Sequence, residues 1–125
     1  MTDFATYDWA GKAEEDEVRA DQAEELREAG EARAHARHAG MRWLEASRHA
    51  EWVDLEKSLA YARQAERCYR RGLSHPRTRA VQDRIRRLEE ELRLKRQRDE
   101  EFNAGITTAL EATERGGEDP EVKRG

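Results

Sequence analysis

Apolar residues recur along most of this chain at alternating steps of three and four, which places them on one face of an α-helix. Gly40 interrupts the first part of this pattern. A second interruption falls at Gly72. The arginines before Gly72 and the glycine itself are signals that end a helix, and Pro76 is a signal that begins the next one. We expect Gly72 to take the left-handed conformation of a helix cap. The pattern therefore predicts three helices, over residues 13–39, 42–72 and 76–113.

The two ends of the chain lack this helical period. Residues 1–12 predict an irregular aromatic arm that either folds onto the first helix or anchors another protein. Its aromatic residues are Phe4, Tyr7 and Trp9. Residues 116–125 are charged and contain Gly and Pro, so they predict a disordered tail. The helical domain is accordingly expected to cover residues 13–115.

The third predicted helix carries the most regular apolar positions in the chain. Their steps of four and three form a heptad seam of the kind that pairs helices in coiled coils, and Lys95 and Asp99 interrupt it. The predicted self-association seam consists of Val81, Ile85, Leu88, Leu92, Phe102 and Ile106. With the other helices, this pattern predicts an all-α fold, either an elongated antiparallel helical hairpin or a three-helix bundle with coiled-coil character.

The composition suggests that this fold needs a partner. Charged residues make up 42% of the 125 residues, whereas Leu, Ile, Val and Phe together number only 17. A monomer would bury little apolar surface. We therefore expect a homo-oligomer or a complex with another helical protein. The single cysteine excludes an internal disulfide, and no signal peptide or membrane-length apolar run is present, so we expect a cytoplasmic protein without membrane contact.

Charge is distributed unevenly along the chain. Residues 1–30 hold ten acidic and three basic residues, whereas residues 67–87 hold eight arginines and one acid. The two regions could pair within one chain or between copies, or the arginines could bind phosphate. Arg77 and Arg79 favour a functional role because cations in a first helical turn oppose the helix dipole. The candidate contacts for phosphate or an acidic partner are Arg67, Arg70, Arg71, Arg77, Arg79 and Arg84.

The sequence contains no catalytic or cofactor motif and no family signature. His35 and His38 lie three residues apart, with Glu31 one turn earlier, but we interpret them as solvated histidines on a helix rather than a metal site. No enzyme activity and no cofactor are predicted. The function predicted is that of a non-enzymatic helical interaction protein, such as a coiled-coil adaptor, scaffold or assembly subunit, and a phage or mobile-element origin is a hypothesis. The alternative is a small nucleic-acid-associated regulator that uses the basic turn, residues 67–87.

Overall fold

The structure is a computed structural model that describes the backbone of residues 7–118 and the side chains of residues 7–114. These residues form four α-helices and no strand, which confirms the predicted all-α class. The chain divides into two compact units, residues 1–91 and residues 92–125. In chain order, the helices are α1 (Trp9–Glu25), α2 (Ala29–Ala50), α3 (Leu55–Arg71) and α4 (His75–Glu118).

In the first unit, α2 packs against both α1 and α3. Most of the buried positions of α1 and α2 are alanines, whose small side chains let two helices approach closely. Larger side chains fill the centre of the core, where Trp43, Cys68, Tyr69 and Val81 are buried together. Because Ala13 of α1 belongs to the same cluster, the core draws on all four helices.

A buried carboxylate also connects α1 to α2. Asp16 is almost completely buried, and its two oxygens lie 3.2 Å from Arg19 Nη1 and 3.2 Å from Arg42 Nε. A buried charge is tolerated where it is paired in this way.

Two of the helix breaks lie where the sequence pattern did not place them. The predicted helix over residues 13–39 is divided at residues 26–28, and the one predicted over residues 42–72 is divided at residues 51–54. At the first break, Arg27 takes the left-handed conformation, with φ of 59°. The N–H of Arg27 donates a hydrogen bond to Glu24 O, and the N–H of the following residue, Glu28, donates one to Ala23 O. These two bonds form a Schellman motif without glycine. At the second break, Asp54 Oδ1 accepts a hydrogen bond from Lys57 N and caps α3.

The two glycines expected to shape the helix ends have other roles. Gly40 lies inside α2, and a Cβ atom there would lie 2.8 Å from the ring of Tyr69. Gly72 has φ of −80°, and the left-handed conformation falls on Leu73 instead, with φ of 57°. Gly72 lies against α2, where its carbonyl oxygen accepts a hydrogen bond from Arg37 Nη1 at 2.9 Å. Both glycines therefore allow close approach between elements.

The aromatic arm is only partly described. Asp8 caps α1 by accepting a hydrogen bond from Gly11 N at 2.9 Å, so residues 9–12, predicted to be irregular, are helical. Trp9 packs against the core and stacks on the ring of His49. Phe4 and most of the predicted tail, residues 119–125, lie outside the described residues, whereas the backbone of residues 116–118 belongs to α4.

Candidate binding surfaces

Arginines at the end of α3 are neutralised by the acidic first helix. Arg67 Nη2 lies 2.6 Å from Glu17 Oε1, while Arg71 Nη2 lies 2.7 Å from Asp21 Oδ1 and 3.0 Å from Glu24 Oε1. The charge separation along the sequence is thus balanced within one chain at these residues. Arg70 pairs locally with Glu66, at 3.1 Å.

Two arginines of α4 converge on one carboxylate at the end of α2. Arg84 Nη2 and Arg87 Nη2 lie 2.8 Å and 3.0 Å from Glu51 Oε1. The hydrogen bond from Arg87, assisted by Arg84, holds the pKa of Glu51 below its ordinary value against the opposing effect of burial. This arrangement attaches the start of α4 to the turn between α2 and α3.

A pair of buried serines supports this arrangement. Ser47 Oγ donates a hydrogen bond to Ser58 O at 2.8 Å, and Ser58 Oγ donates one to Ser47 O at 2.7 Å. Arg84 Nε also donates to Ser47 Oγ, at 3.0 Å. Because the serines are eleven residues apart and belong to no recognisable motif, only the three-dimensional structure shows that they meet.

Arg77 and Arg79 differ from the other four candidate arginines. In the part of the chain whose side chains are described, neither has a carboxylate partner. The guanidinium carbon of Arg77 lies 6.0 Å from the centroid of the Tyr69 ring, at the limit of a cation–π contact. Arg79 is exposed. The six candidate arginines therefore do not form one common site.

Arg77 and Arg84, together with two arginines outside the candidate set, line a pocket of about 350 Å³ in the first unit. We call it the arginine pocket. Its lining residues are Leu44, Arg48, Tyr69, Arg77, Ala80, Val81, Arg84 and Arg87. Burial raises the pKa of Tyr69, although the positive charges of Arg77 and Arg48 act in the opposite direction. The pocket combines guanidinium groups with an apolar and aromatic wall.

The predicted self-association seam is divided between buried and exposed positions. Within the first unit, Val81 and Leu88 are fully buried and Ile85 packs against the core. Leu92, in the second unit, is also buried. Because the first unit itself covers Val81, Ile85 and Leu88, these three residues are not available to another copy.

The remaining seam residues lie on an exposed stretch of α4. Every residue from 93 to 114 is exposed, including Phe102 at 68% and Ile106 at 41%. Leu110, 60% exposed, follows Ile106 at the same spacing but is not part of the predicted seam. We call Phe102, Ile106 and Leu110 the α4 stripe. Its members are four residues apart and therefore share one face of the helix.

Two further features bear on possible chemistry. In the described residues, no three His, Cys, Asp or Glu side chains are arranged so that they could hold a metal ion, and His35 and His38 lie edge to face without such a third group. Within residues 7–118, every helix falls short of the apolar length that a bilayer-spanning segment needs. The chain matches no protein-family model, no curated protein and no solved structure.

Proposed function

We propose that this protein is a non-enzymatic helical interaction protein that assembles with a second copy of itself through the α4 stripe. The observation that carries the proposal is the exposure of all residues from 93 to 114, three of which form an apolar stripe. A helix whose apolar face is not packed is only marginally stable in water, because most helix stability in proteins comes from packing such a face. A partner helix on the stripe would supply that packing.

The charges around the stripe favour a second copy in antiparallel orientation. Four basic residues lie between positions 93 and 98, Asp99, Glu100 and Glu101 separate them from the stripe, and Glu111 and Glu114 follow Leu110. An antiparallel copy brings the basic end of each helix towards the acidic end of the other. A parallel copy in register would place like charges together. The proposed assembly is therefore a two-stranded antiparallel coiled coil, which is the form of coiled-coil character that this stretch supports.

The alternative function, nucleic-acid regulation through the basic turn, has less support. Arg67, Arg71 and Arg84 are paired with carboxylates from other helices, and Arg70 with a carboxylate on its own helix. Such pairing lowers the positive charge available to a phosphate backbone. Four of the six candidate contacts are therefore engaged inside the chain, and self-assembly is the function we favour.

The experiment that tests this proposal compares two charge substitutions on the same helix. Ile106→Glu places a carboxylate in the stripe, whereas Thr108→Glu adds the same charge on the opposite face of α4. Light scattering coupled to size-exclusion chromatography should show loss of self-association for Ile106→Glu, since burying an unpaired charge is strongly unfavourable. Thr108→Glu should behave like the wild type. Equal effects of the two substitutions would show that the stripe is not the interface.

A further inference from the structure

The arginine pocket is separate from the α4 stripe and has the properties of a small-molecule site. Its volume of about 350 Å³ lies within the range found for ligand pockets. All of its lining residues belong to the first unit. Ligand binding in this pocket therefore does not require self-association.

Positive charge exceeds negative charge around the pocket. Arg84 and Arg87 share Glu51, Arg87 also reaches Glu91 at 2.6 Å, and Arg48 pairs with Glu45. Four arginines thus face three carboxylates. The fourth arginine, Arg77, has no carboxylate partner among the residues whose side chains are described, so its charge remains available to a ligand.

The arginines of α4 alternate with apolar residues on the pocket wall. Arg77, Ala80, Arg84 and Arg87 are separated by steps of three, four and three, so they share one helical face. Leu44 and Val81 add apolar surface next to them. A ligand that fills this pocket needs an anionic group for Arg77 and an apolar group for the remaining wall.

We propose that the arginine pocket binds a small phosphate ester with an apolar body, and that Arg77 is its principal anion contact. Guanidinium groups form strong, charge-assisted hydrogen bonds to phosphate oxygens. The ion pair of Arg48 with Glu45 lies at the exposed rim, where such pairs contribute little stability. Arg48 can therefore turn from its carboxylate to a bound phosphate at low cost, whereas Arg84 and Arg87 stay on Glu51 and keep the pocket wall in place.

The proposal is tested with three probes that separate the head group from the body. Phenyl phosphate carries both, inorganic phosphate carries only the head group, and phenol carries only the body. Calorimetric titration of the full chain at low salt should show that phenyl phosphate binds at least ~10-fold more tightly than either of the others. Failure of phenyl phosphate to bind, or binding no tighter than that of inorganic phosphate, would overturn the proposal.

Matched variants test the role of Arg77. Arg77→Gln should weaken phenyl phosphate binding at least ~10-fold, whereas Arg79→Gln removes an equal charge outside the pocket and should leave binding unchanged. Ala80→Leu, which narrows the pocket, should weaken phenyl phosphate more than inorganic phosphate. Circular dichroism confirms that each variant is folded. Equal losses for Arg77→Gln and Arg79→Gln would show that only the general positive field attracts the anion and would contradict the proposal.

Discussion

The substitution Gly40→Ala tests the close contact between α2 and Tyr69, a residue that belongs to the core and also lines the arginine pocket. Gly40 is buried inside α2, and an added Cβ would lie 2.8, 2.9 and 3.0 Å from three atoms of the Tyr69 ring. These distances are shorter than ordinary carbon–carbon contacts. The ring cannot easily move away, because Tyr69 is 3% exposed and belongs to the core cluster.

Two opposing effects decide the sign of the result. Replacing a glycine by alanine inside a helix stabilises the helix by about 1 kcal/mol. Adding a methyl group to a filled core costs about 1–3 kcal/mol. We therefore expect Gly40→Ala to lower the free energy of unfolding by about 1 kcal/mol, which corresponds to a fall in melting temperature of roughly 4 °C.

Gly30 provides a matched control on the same helix. A Cβ at Gly30 would meet no atom within 4 Å, so Gly30→Ala should stabilise the protein by up to about 1 kcal/mol. Urea unfolding followed by tryptophan fluorescence is a suitable assay, since all three tryptophans lie in residues 1–91. If Gly40→Ala stabilises the protein as much as Gly30→Ala does, the close contact with Tyr69 does not exist.

The substitution Leu73→Gly should raise the free energy of unfolding by roughly 0.5–1 kcal/mol, because glycine adopts φ of 57° without strain and the leucine is mostly exposed. Leu73→Ala keeps the Cβ and should give no gain in thermal unfolding; stabilisation by both would contradict this explanation. Burial, together with the charge of Glu17, raises the pKa of Cys68 from 9.0 to about 12. Between pH 9.0 and about 12, the thiol ionises in the unfolded chain but stays protonated in the folded protein. The free energy of unfolding therefore falls as the pH rises, by about 1.4 kcal/mol at pH ~10. Urea titrations at pH ~8 and ~10 should show that Cys68→Ala lacks this loss, and equal losses in both proteins would argue against a buried thiol.

Local signals in the sequence predicted some helix limits well. The arginines and Gly72 placed the end of α3 within one residue, and Pro76 placed the start of α4 equally closely. The break at Arg27 could not be found in this way, because the left-handed residue there is not a glycine. Asp54 is a residue type that commonly caps helices, but the apolar residues on both sides of it favoured a continuous helix there. The start of α3 was therefore missed.

The roles of Gly40 and of the pocket residues depend on tertiary structure. A glycine in a helical pattern indicates either a break or a close contact, and only the position of Tyr69 decides between them. Arg48 is distant in sequence from the other arginines of the pocket, so no motif connects them. The charge separation along the chain did suggest that the acidic first helix could lie near the basic turn, and Arg67 and Arg71 are paired with α1. Sequence alone could not show which arginines such pairing leaves unmatched.

Sedimentation equilibrium of the full chain over a series of concentrations measures self-assembly through the α4 stripe. We predict that the average mass rises from 14.6 kDa towards twice that value as the concentration increases. The Ile106→Glu variant should remain at 14.6 kDa under the same conditions, whereas Thr108→Glu should follow the wild type. A wild-type protein that is folded and stays at the monomer mass at high micromolar concentration would show that the α4 stripe does not pair two copies.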